Sequence, residues 1–227
     1  MSKLKWVGLS FLSLLLLIGG FLYSQFFGLP WEKIKAEKIL TEYVEEKYEI
    51  DVTVQKSFFN FKDGSYGVHF ISEDNLAFTA DYGKHRPQPI WDYYPEAVWN
   101  QQMERELGAT VNKLFPTHDR IVFSGAYGVG HDLKIGKEIP PFDEVNAEFD
   151  LYVGEKSLWS KEKEIEVYQS LFALVEILKN KEIDNLNMMI SFHTEEDTKM
   201  SHYIHVNSKD LNKIHTWEDI KTLQNEQ

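Results

Sequence analysis

From Trp6 to Trp31 the chain carries no charged residue over 26 positions. About 20 apolar residues at 1.5 Å each match a hydrocarbon core of about 30 Å, so this run predicts a helix that crosses a bilayer. Lys3 and Lys5 precede it and Glu32 follows it. The positive-inside bias therefore predicts a cytoplasmic N-terminus and an external remainder. Trp6 at one end, with Tyr23 and Trp31 near the other, suits an interfacial aromatic belt. A cleaved signal peptide shares the charged start and apolar stretch, and Gly19-Gly20 would suit it, but no A-x-A-like site follows. The expected layout is a cytoplasmic N-terminus (1–5) and a transmembrane helix (6–28). Two extracytoplasmic units follow, at 29–116 and 117–227, in a single-pass protein of the plasma membrane.

The rest of the chain reads as α+β. Ile34, Ala36, Ile39, Leu40, Tyr43 and Val44 recur at helical spacing after Pro30, predicting an amphipathic helix continuous with the span or hinged on it. Asp51 to Phe61, Ser65 to Ser72 and Leu76 to Tyr82 are rich in Val, Phe, Tyr and Thr. The turn signals Lys62-Asp63-Gly64 and Glu73-Asp74-Asn75 separate them, so they predict an antiparallel meander. After the polar turn Gly83 to Pro89, the residues Trp99, Met103, Leu107, Val111 and Leu114 predict a second helix, with Pro95 in its first turn and Pro116 closing it. Further strands are expected at Ile121 to Phe123 and at Phe149 to Val153. A long helix should start at Ser160 and bury Ile165, Tyr168, Leu171, Phe172, Val175 and Leu178. Asn185 to His193 and Met200 to Val206 should form a hairpin around the acidic loop Glu195-Glu196-Asp197. Thr216 and Asp219 open a terminal helix with a capping-box-like start. Each half thus reads as helices with an antiparallel sheet, compatible with a duplicated unit.

Composition narrows the function. The net charge of −12 opposes a phosphate-tracking surface, so no nucleic-acid partner is expected. An external domain this acidic should also be repelled by anionic wall polymers and lipid heads. With no cysteine, thiol nucleophiles and cysteine-ligated zinc are excluded. The hairpin histidines cannot share a metal: His202 should point inward while His193 and His205 point outward, several residues apart. His118-Asp119 and His131-Asp132 are the alternative, an extracytoplasmic metal-dependent hydrolase, although their spacing matches no ligand pattern. Ser160-Lys161-Glu162-Lys163 matches S-x-x-K but lacks its companion motifs, so Ser160 reads as an N-cap. Gly125, Gly128 and Gly130 read as strand-end glycines, and Glu195-Glu196-Asp197 as a solvated turn without a calcium framework. No catalytic residue, metal site or cofactor is therefore expected. Aromatic residues remain as recognition candidates: Phe58 on the first strand, with Trp91, Tyr93 and Tyr94 before the second helix.

The run Lys35-Ala36-Glu37-Lys38-Ile39-Leu40 through Glu46-Lys47-Tyr48 is followed by Val52-Thr53-Val54 and Asn60-Phe61-Lys62-Asp63-Gly64-Ser65-Tyr66, and then by Trp91-Asp92-Tyr93-Tyr94. Together with the single span, this pattern resembles the YfjL-like membrane-anchored proteins of Bacillus-type bacteria. The resemblance covers the N-terminal half and implies a single-pass anchor with an exported α+β domain. It brings no catalytic residue with it. The expected function is contact with another envelope protein or a peptide, with a secreted inhibitor or ligand-sensing module as a further alternative.

Overall fold

The computed structural model describes residues 3–125, 128–157, 159–193 and 202–225; the acidic loop Glu195-Glu196-Asp197 lies outside them. The apolar run forms helix α1 (Lys3–Phe27) and stops at Gly28, whose φ of +67° is in the left-handed region. Leu29 is extended, and α2 (Pro30–Tyr48) then starts on a proline, where the missing N–H has no intrahelical partner to lose. The span and the amphipathic helix are thus hinged. Among the described residues, one helical segment at the N-terminus is long and apolar enough to cross a membrane, which fits an anchor or a signal sequence.

The remaining order is β1 (Val52–Asn60), β2 (Ser65–Ser72), β3 (Ala77–Tyr82), β4 (Ile90–Asp92) and α3 (Tyr94–Leu114). There follow β5 (His118–Gly125), the short α4 (Val129–Asp132), β6 (Phe149–Lys156), α5 (Lys161–Asn180), β7 (Leu186–His193), β8 (His202–Val206) and α6 (Trp217–Asn225). The architecture is α+β, with two four-stranded sheets ordered β1-β2-β3-β4 and β5-β6-β7-β8.

Two compact units emerge. One comprises residues 1–94 with 130–138, the other 95–129 with 139–227. From sequence the boundary is expected after 116 or at the turn Arg86-Pro87-Gln88-Pro89, and the division after Tyr94 lies nearer that turn because of α3. Its Trp99, Met103, Leu107 and Val111 are fully buried, and Trp99 stacks edge-on against Phe149 at 5.6 Å while donating to the Pro140 carbonyl at 2.8 Å. Those partners belong to the second unit, and they claim the helix for it.

In the first unit the meander is antiparallel throughout, with β4 added beyond the three expected strands. Ala36, Leu40, Val44 and Tyr48 repeat every fourth position and bury one stripe of α2, while Val68, Phe70, Phe78 and Ala80 alternate on the facing strands. These residues form the core of the unit. Among the described residues of this unit, the sheet's other face is met only at its β4 edge, where His131 of the short α4 stacks on Trp91.

The second sheet departs from the expected pattern at one pair. β6 and β7 run parallel, because the 20-residue α5 returns the chain to the end of the sheet from which it left. The two sheets therefore differ in topology, which removes the support for a duplicated unit. Val167 and Leu174 are buried on α5 alongside Tyr168, Leu171, Val175 and Leu178, whereas Phe172 is half-buried and Ile165 is 39% exposed. Ser160 accepts from the Lys163 amide at 3.1 Å, as an N-cap does. At α6, Asp219 accepts from the amides of His215 and Thr216, both at 2.8 Å, and these bonds hold its carboxyl below its ordinary range.

Candidate functional site

The open face of the first sheet follows from strand register. Phe58 pairs with Gly67, Gly67 with Asp81, and Asp81 with Trp91. Residues paired across a sheet point to the same side, so these four form one row about 14 Å long at the usual strand spacing. The row lies opposite the face covered by α2. Two residues singled out from sequence, Phe58 and Trp91, are therefore brought onto one surface. Gly67 makes this possible, since a β-carbon there would strike the Phe58 ring. That ring is half-buried and lies 4.9 Å from the exposed His69 on the same face.

At the other end of the row Trp91 is half-buried and engaged. His131 stacks on it with ring centroids 4.5 Å apart and planes 27° apart, and the Arg86 guanidinium lies 5.3 Å from its centroid. Nε2 of His131 is buried with no hydrogen-bond partner among the described residues. Arg86 also pairs with Asp81 through Nη1 and reaches Asp63 at 3.7 Å through Nη2. Asp81 accepts in addition from the Tyr93 hydroxyl at 3.2 Å. Burial pushes the Asp81 carboxyl above its ordinary range, against the pull of Arg86 and Tyr93.

The remaining sequence candidates sit deeper. Tyr93 is buried with its hydroxyl on Asp81. Tyr94 is buried on the α2 side, its ring 4.6 Å from Tyr48 and 4.9 Å from Phe78. Lys47 at 2.9 Å and the Tyr48 hydroxyl at 2.5 Å both bond Asp92 beneath them. Arg86 and His131 were not singled out for this surface from sequence. The alternation Ile90-Trp91-Asp92 after a turn ending in Pro89 signals a strand that would have placed Trp91 beside Asp81. Nothing in sequence links it to His131, which is 40 residues away.

The histidine pairs weighed for metal chemistry fall in different units. His118 Nδ1 lies 2.5 Å from the Phe115 carbonyl, and His131 Nδ1 lies 3.4 Å from Asp132. Among the described residues no group of three or more His, Asp or Glu side chains could hold a metal ion.

In the second unit a cavity of about 310 Å³ is lined in part by Thr117, Glu155 and Lys163. Glu155 is 1% exposed, accepts from the Thr117 hydroxyl, and lies 3.1 Å from Lys163 Nζ. Lys163 Nζ also donates to Thr117 Oγ1 at 3.1 Å. The trio ties the β5 end of the chain to the end of β6 and the first turn of α5.

Residues 3–92 match a family model described as YfjL-like, N-terminal domain. The match takes in α1, α2 and all four strands of the first sheet, and ends two residues before the division between the units. No curated protein and no solved structure matches the chain.

Proposed function

We propose, from the premise that residues 3–92 are a YfjL-like N-terminal domain, that this protein is held in the plasma membrane by α1 and works outside it by binding a protein or peptide, with no chemistry of its own. Lys3 and Lys5 before the span put the N-terminus in the cytoplasm, and α2 with both sheets outside. The binding face is the side of the first sheet opposite α2. The observation that carries this reading is the cross-strand row from Phe58 to Trp91. It sets an aromatic ring at each end of a surface that also holds His69 and Arg86, and residue types of this kind dominate interface energetics.

A photo-crosslinking amino acid at position 69, in the full chain expressed in cells, tests the reading. Its expected result is a discrete protein or peptide adduct that weakens when Phe58→Ala is added. No adduct at 69, or one indifferent to Phe58, overturns it. So does turnover of any substrate by the purified chain.

A further inference from the structure

We infer that the tip of the β1–β2 hairpin and the first turns of α2 lie in the headgroup layer of the bilayer that α1 crosses, so that the first unit is seated on the membrane surface as well as tethered to it. This rests on the reading of α1 as a retained span.

The hairpin tip is fixed to the end of that span. Phe61, in the turn after β1, has its ring 5.9 Å from that of Phe26 in the last turn of α1. One residue beyond α1, Gly28 is buried, and a β-carbon on it would come within 2.7 Å of Tyr66 and 2.8 Å of Phe59. The next amide, Leu29 N–H, donates to the Tyr66 hydroxyl at 3.0 Å. The junction of α1 and α2 is therefore pinned to β1 and β2, and the hairpin tip sits level with the outer end of α1. A span that fills about 30 Å of hydrocarbon brings that level into the interface.

The surface there suits the interface. Phe61 is 56% exposed with its ring against that of Phe26, and Trp31 at 63% and Ile34 at 72% add exposed apolar side chains in the first turns of α2, where the bilayer can cover them. Charge points the same way. Lys33, Lys35, Lys62 and Lys84 surround this end of the unit against Glu32 and Asp63. The β3–β4 turn that carries Lys84 is held at the same end by Arg86 on Asp63. The opposite end of the sheet carries Glu49, Asp51, Glu73 and Asp74, with Lys137 paired to Glu49. In a chain of net charge −12 the first unit thus turns its basic end toward the lipid, where anionic headgroups attract lysine, and its acidic end away. The repulsion expected from overall charge does not apply at this face.

The test uses the absence of native cysteine, which gives each introduced thiol a unique label. Phe61→Cys, Trp31→Cys, Lys62→Cys, Leu16→Cys and Asp74→Cys chains, labelled with an environment-sensitive fluorophore, are reconstituted full-length in vesicles of mixed zwitterionic and anionic lipid. Quenching by shallow nitroxide lipid is compared with quenching by aqueous iodide. The expected result is severalfold stronger lipid quenching at 31, 61 and 62 than at 74, which lies about 25 Å away along eight-residue β2. Position 16 should be quenched by deep nitroxide lipid. If 16 is quenched from the lipid while 31, 61 and 62 respond only to iodide, the seated unit is overturned and the anchor stands. If 16 too responds to iodide, the anchor fails and the seating with it.

Discussion

Gly28 carries two constraints that no other residue type meets together. Its φ of +67° costs an ordinary L-residue roughly 1–2 kcal/mol, and its missing side chain leaves room for Tyr66 and Phe59. Gly28→Ala should destabilise the junction by at least that amount and speed hydrogen exchange of the Leu29 amide. Gly19→Ala, with nothing within 4 Å of the added methyl, should leave both unchanged. Asp81 illustrates the opposite relation between residue and site. Its raised pKa means that the folded chain holds a proton more tightly than the unfolded one between the ordinary 3.8 and the folded value. Stability then falls as pH rises through that window. Asp81→Asn should flatten that segment of the curve of denaturation midpoint against pH. Phe58 and Trp91 were legible as aromatic candidates. Their shared surface was not, because it depends on Gly67 and Asp81 standing between them in register.

Periodicity marked the elements whose buried stripe is regular. The alternation in β2 and β3 and the cap at Ser160 appear where the local pattern put them, whereas on α2 the expected stripe is only partly buried: Ala36, Leu40 and Val44 are buried, Ile39 and Tyr43 half-buried, and Ile34 is 72% exposed. Strand β4 was missed because the signal in Ile90-Trp91-Asp92 is present but spans only three residues. The parallel pairing of β6 with β7 was missed because both strands read as apolar runs in either direction. What joins elements in the second unit is also non-local: Glu155 on β6, Thr117 before β5 and Lys163 on α5. Removing one partner from a buried ion pair leaves an uncompensated charge, so Lys163→Met should cost about 3 kcal/mol. A lower denaturant midpoint for the chain would register the loss, and Glu155→Gln with Lys163→Met should recover much of it, since no buried charge then remains.

For the molecule as a whole, the proposed topology predicts that protease added to intact protoplasts cuts the chain outside the membrane. The membrane-bound form should keep its full-length mass. A shorter mass with protein in the medium would identify α1 as a cleaved signal, and protection from protease would reverse the orientation. The sequence by itself determined the apolar helix, the α+β class and most helices and strands, because hydropathy and local periodicity act over a few turns of chain. Tertiary structure decided between the two boundaries the sequence left open, placing α3 with the second sheet, and it alone decided that residues 130–138 return to the first unit to stack His131 on Trp91. It also decided that the β1–β2 hairpin locks against the end of α1 through Phe61 on Phe26 and Tyr66 on Leu29, the latter pair 37 residues apart. Those outcomes depend on which distant surfaces bury each other, and a linear pattern of residues does not carry that choice.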